Sequence, residues 1–92
     1  MFKKSYYIYK HSIDGVAFWW KHNDHGYDGV LSNAKKFTES AMVDIIGNPY
    51  QKKIAYPCEY VDSIKKPMAD CVFDSDLDIT KSIGNSDLIS DK

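Results

Sequence analysis

The sequence has no arginine; all twelve basic side chains are lysines. Arginine's planar fork is the usual bidentate reader of phosphate and guanine, so base-specific nucleic-acid recognition is disfavoured. Cysteine is scarce. Cys58 and Cys71 are too few for a disulfide scaffold and lack the close pairing of a zinc site, which predicts two free thiols. No apolar run approaches the roughly 20 residues that span a bilayer. The opening "MFKKSYYIYK" leads into alternating aromatics rather than a signal peptide's apolar stretch. These absences predict a cytoplasmic protein without membrane contact. The glycines (15, 26, 29, 47 and 84) are scattered, so no phosphate-cradling loop is expected.

What is present is aromatic and unevenly charged. Seven tyrosines, four phenylalanines and two tryptophans can fill the modest core of one 92-residue domain, and can also anchor an interface. The net charge of −1 hides an asymmetry: residues 1–69 carry ten lysines against seven acids, residues 70–92 two lysines against six aspartates. We therefore divide the chain into a mildly basic domain, 1–69, and an acidic C-terminal extension, 70–92.

Along the chain, "SYYIYK" alternates as a strand does, with Tyr6 and Ile8 on one face and Tyr7 and Tyr9 on the other. Asp14-Gly15 signals a tight turn into a second strand, "VAFWWK". "LSNAKKF" predicts a short helical turn with Leu31 and Ala34 inward. Thr38 caps the best helix, whose apolar stripe is Ala41, Met42, Ile45 and Ile46, with Gly47 at its C-cap and Pro49 forbidding continuation. "KKIAYPCEYV" reads as a third strand that Pro57 bends or confines to an edge. The predicted fold is α+β: a small three-stranded antiparallel sheet in ββαβ order with one main helix. Within the extension, "SDLDITKSIG" suits either a short helix or an extended arm.

Catalytic and metal chemistry fits poorly. His22, Asp24 and His25 cluster without zinc grammar. Asp74, Asp76 and Asp78 open like a calcium loop, but Ile79 and Asn85 stand where that loop needs glycine and glutamate. No base is placed beside either cysteine. We expect no enzyme, no metal and no cofactor. Binding is the better fit: one hairpin face can pack on the helix. That leaves Tyr7, Tyr9 and Trp19 either covered by the tail or third strand, or exposed as a partner-binding patch.

The stretch "WWKHNDHGY" carries a resemblance. Trp19-Trp20, Asn23 and Gly26-Tyr27, followed by Leu31, Ala34 and Phe37, a Thr38-capped helix and Pro57-Cys58-Glu59, are similar to a pattern in small uncharacterised phage and prophage proteins. The resemblance covers roughly residues 5–61; the helix lacks the usual paired acids, and the tail is longer. It implies a mobile-element origin, hence a bacterial host's cytoplasm, and a ββαβ layout, and it carries over no catalytic residues. Without any ligand, Trp20 and Tyr27 can clamp the hairpin end while Gly26 permits the turn.

The leading expectation is a non-catalytic protein that occludes a host protein. Its acidic residues Asp74, Asp76 and Asp78, on one side of an extended tail, would mimic nucleic acid in a defence nuclease, as an anti-CRISPR-like inhibitor does. The partner is then a host protein rather than nucleic acid, and the chain a monomer or weak homodimer. One alternative is single-stranded nucleic-acid binding by the hairpin, whose aromatics lie among Lys3, Lys4, Lys10 and Lys21. Another is a small assembly protein dimerising through a sheet edge.

Overall fold

A computed structural model describes residues 4–21, 26–50 and 53–84. The alternating N-terminal residues form β1 (Ser5–Ile13), which turns at Asp14-Gly15 into β2 (Val16–Trp20). Both turn residues have positive φ, 53° and 83°. That is the backbone a two-residue hairpin needs, and the reason glycine is favoured there. Three short strands complete the antiparallel sheet: β3 (Tyr27–Asp28), β4 (Phe37–Thr38) and β5 (Ile54–Pro57). The helices are α1 (Glu39–Ile46) and α2 (Cys58–Ile64).

The registers show how the sheet curls. Tyr6 faces Phe37 on one edge of β1 and Pro57 on the other, while Tyr9 faces Trp19 and Ile54. So β2 and β4 follow one another along one edge of β1, and β5 occupies the opposite edge. A bulge between Tyr9 and His11 leaves Lys10 without a cross-strand partner. It also turns the strand over: Tyr9 pairs with Trp19 on one face, His11 with Phe18 on the other.

α1 forms as its sequence predicts. Thr38 Oγ1 accepts the Ala41 N–H at 3.2 Å, Glu39 sits at the positive end of the dipole, and Met42 and Ile46 are buried. Gly47 is the C-cap, but at φ −74° it is not the left-handed glycine such a position usually calls for.

The three-stranded ββαβ layout with one helix gives way, among the described residues, to five strands and two α-helices. The expected third strand ends at Pro57, which has no N–H for a ladder and instead precedes α2. Cys58, Val61 and Ile64 then follow helical spacing and turn inward.

The boundary expected after residue 69 falls inside a turn closed by Lys66 and Cys71. Beyond it, residues 71–73 run along the outer edge of β2, where Ala17 N–H bonds Val72 O at 2.9 Å and Asp74 N–H bonds Gly15 O at 2.7 Å. Val72 is fully buried. Two single-turn 3-10 helices follow, Asp74–Asp76 and Ile79–Lys81, and Ile83 exchanges both backbone bonds with Ala55. The described part of the acidic segment is neither an extended arm nor a separate appendage.

Two apolar clusters lie on opposite faces of the sheet. One joins Tyr7, Ala17, Trp19 and Tyr56 to Leu31, Ala34, Cys58, Val61 and Val72. The other joins Tyr6, Ile8, Phe37 and Ala55 to Met42 and Ile46 of α1. No described helix is long and apolar enough to cross a membrane.

Candidate functional site

The aromatics singled out as a partner-binding patch are mostly interior. Trp19 and Tyr7 are 0% and 2% exposed, sealed by α2 and the segment around Val72, so they present no surface to a partner. Tyr9 is half-buried and edge-on to both Trp19 and Tyr56. Its hydroxyl donates to Asp74 Oδ1 at 2.7 Å, and that of Tyr7 donates to Asp62 Oδ1 at 2.9 Å. Burial first, then the bonded carboxylate, pushes both phenols up, that of Tyr9 to about 12.

The predicted acidic trio is likewise engaged within the fold. Asp74 holds Tyr9, and Asp76 pairs with Lys66 at 3.2 Å. Asp78 accepts from the hydroxyl and backbone N–H of Thr80, bonds that hold its carboxyl below the usual range. Tyr60 sets the shape of this turn, since its hydroxyl accepts the Asp78 N–H at 2.8 Å.

A more open surface lies on the other face, beside the cluster that α1 covers. Trp20 and Tyr27 pair across β2 and β3, and their rings meet at 6.4 Å, the clamp expected from "WWKHNDHGY". Gly26 sits at φ 80° beside it, as the turn requires; His22, Asn23, Asp24 and His25 lie outside the described residues. Phe18 stacks on His11 at 5.8 Å, and His11 meets the edge of Tyr27. Gly29 lets this sheet approach closely, because a Cβ there would lie 3.2 Å from Val16 and 3.3 Å from the Phe18 ring. Asp28 accepts from Val30 N–H and Asn33 Nδ2, which fixes the exit of β3 and lowers its own pKa.

Lysines surround these rings. Lys10, pushed out by the bulge, sits 4.9 Å from the Tyr27 centroid. Lys53, just before β5, lies 5.5 Å from the Trp20 ring and 5.8 Å from that of Tyr27. Lys35 lies over Phe37 at 5.1 Å. Burial, and then the neighbouring Lys10 ammonium, lowers the Lys53 pKa. Among the described residues no carboxylate pairs with Lys10 or Lys53. The indole N–H of Trp20 is buried without an acceptor there. The cluster is thus rich in donors and positive charge and poor in acceptors.

Sequence reading named Lys10 as a flanking lysine but missed Lys53, Phe18, Trp20, Tyr27 and His11 as one surface. The signal available was the alternation of Phe18 and Trp20 against Trp19; the bulge that brings in Lys10 and His11 had none. Among the described residues no three His, Cys, Asp or Glu side chains converge as a metal site would require. Compared with known proteins, the chain matches no family model, no curated protein and no solved structure.

Proposed function

We propose that the protein binds single-stranded nucleic acid, without catalysis, through the lysine-flanked aromatic end of its sheet. The observation that carries this reading is the approach of Lys10 and Lys53 to each other over the Tyr27 ring, with no described carboxylate between them. Two like charges held together are unfavourable until an anion bridges them. A phosphate does so, and the adjoining rings of Tyr27, Phe18 and His11 offer π faces on which a base stacks. Lysine is a point charge rather than a fork, so the reading predicts backbone binding with little sequence preference.

The test is fluorescence anisotropy of a labelled oligothymidine titrated at several salt concentrations. Affinity should fall with salt by about 0.7 log units per log unit for each phosphate contact. The double substitution Lys10→Gln/Lys53→Gln should remove about two such contacts, and Tyr27→Ala should weaken binding by roughly 5- to 150-fold, the range of one stacked base. Absent binding, or binding indifferent to Lys53, rejects the reading.

A second reading keeps the acidic side as the partner surface, occluding a basic groove in a host nuclease as an anti-CRISPR-like inhibitor would. In its favour, Tyr60 fixes the Asp76–Asp78 turn in one shape while Asp76 and Asp78 stay exposed. Against it, each of Asp74, Asp76 and Asp78 already has a partner inside the chain. It predicts displacement of a guide or target strand from a CRISPR effector, lost in Asp76→Asn/Asp78→Asn; unchanged displacement by that variant would rule it out.

A further inference from the structure

Lys10 and Lys53 are far apart in sequence and close in the fold. The bulge in β1 brings Lys10 to 4.9 Å from the Tyr27 centroid, and Lys53 reaches the same ring at 5.8 Å. The Trp20 ring, 5.5 Å from Lys53, forms a second aromatic boundary. Both lysines are partly covered, yet both keep access to solvent. Lys65 and Lys66 are placed differently: each faces a carboxylate, Asp70 at 3.6 Å and Asp76 at 3.2 Å. Lys53 faces a second ammonium and two rings.

Two ammoniums held beside rings do not keep their protons equally. Lys53 is the more enclosed of the pair. Contact with Lys53, and then with Tyr27, strengthens the hold of Lys10 on its proton; burial, and then the Lys10 charge, weakens that of Lys53. A lysine amine becomes a nucleophile near neutral pH when it is desolvated or set beside another cation. Lys53 meets both conditions, and Lys10 beside it stays charged.

We infer that Lys53 is the lysine of this chain that acyl phosphates modify, with the Lys10 ammonium holding the donor's phosphate. The neutral Lys53 amine attacks the carbonyl carbon of the donor. The C–N bond forms, the C–O bond to phosphate breaks, and inorganic phosphate leaves with the electron pair. The surplus proton of the amine passes to water, and nothing is oxidised or reduced. Lys10 meets a phosphate oxygen that is negative before and after the transfer. The product amide carries no charge, so the surface loses one of its two cations. Only the consequence for oligonucleotide binding rests on the proposed function; the acyl transfer does not.

The test is incubation of the full chain with acetyl phosphate at neutral pH, without nucleic acid, following each lysine by mass spectrometry at early times. Fragment ions separate Lys53 from the adjoining Lys52. Lys53 should react roughly three- to tenfold faster than Lys65 or Lys66. Lys10→Gln should slow Lys53 by about threefold, since it removes both the neighbouring charge and the phosphate contact, and should leave Lys65 and Lys66 at their parent rates. Lys10→Arg keeps the charge and should keep most of the Lys53 rate. In guanidinium the preference should vanish. A Lys53 rate no greater than that of Lys65 or Lys66, a rate unchanged in Lys10→Gln, equal slowing by Lys10→Gln and Lys10→Arg, or a preference that survives guanidinium would each overturn the assignment. With no oligonucleotide present, failure of this assignment and failure of nucleic-acid binding are read separately.

Discussion

Tyr7, Ala17 and Trp19 look to one side of the sheet and are sealed there by α2 and Val72. Phe18, Trp20 and Tyr27 look to the other side, where Trp20 borders the cluster under the eight-residue α1 but stays only partly covered, as does Phe18, and Tyr27 is exposed. The same hairpin supplies both sets, and alternation alone divides them. Which set becomes core depends on how much chain is laid over it. The covered face receives a helix, a turn and an edge strip; the other receives one short helix that protects Tyr6 and Ile8 and stops. Cations gather where the cover ends.

The two adjacent tryptophans break this comparison most sharply. Trp19→Ala should cost about 3–5 kcal/mol, read from urea unfolding, because the ring is wholly enclosed. Trp20→Ala should cost roughly half as much, since the ring is only partly covered. Equal losses would mean that the two faces are equally packed. Trp19→Phe should be milder than its volume suggests, because it also removes a buried indole N–H that has no acceptor in the described structure.

The tyrosines come next. Tyr9→Phe and Tyr7→Phe should each cost about 1–2 kcal/mol by losing a bond to a carboxylate. Both phenols have pKa values raised above the ordinary 10.0. Their contribution is therefore complete below pH 10 and is lost as pH rises, through about 12 for Tyr9. The urea midpoint of the parent should fall across that window, and that of the double phenylalanine variant should fall less.

Lys53→Gln sharpens the comparison at the open end with the smallest stability effect. Removing a partly buried ammonium beside Lys10 should leave stability unchanged within about 0.5 kcal/mol. The depressed Lys53 pKa has the opposite pH sign to the tyrosines: the unfolded chain holds that proton more firmly, so this term improves as pH rises toward 10.5. A marked loss of stability in Lys53→Gln would make the lysine a structural element rather than a ligand group.

Much of the frame was legible because it depends on local chemistry. The Asp14-Gly15 turn, the Thr38 cap, the α1 stripe and the inward pair Leu31 and Ala34 all follow from neighbours in sequence. α2 was not legible. Tyr60 and Val61 favour strands by propensity, and the helical spacing of Cys58, Val61 and Ile64 covers too short a run to outweigh it. The role of residues 70–84 was half legible: cover of Trp19 by the tail was one of two readings, but the aspartates suggested a separate extension, although Val72 is wholly buried. The candidate site was half legible. Its rings alternate in the sequence, but Lys10 and His11 reach it only through a bulge that no glycine or proline announces.

The closing of the Trp19 face has a consequence for the chain as it is made. Tyr9 meets Asp74 only after 65 further residues have been added. At roughly 5–20 residues per second, that interval is about 3–13 s. The hairpin can form long before, and Leu31, Ala34 and α2 reach its Trp19 side earlier, yet the cover is incomplete until Val72 has left the ribosome. For those seconds the vulnerable species is a finished hairpin with an unfinished lid. Its exposure to chaperones, proteases or a second nascent chain is set by the speed of translation, not by the speed of folding.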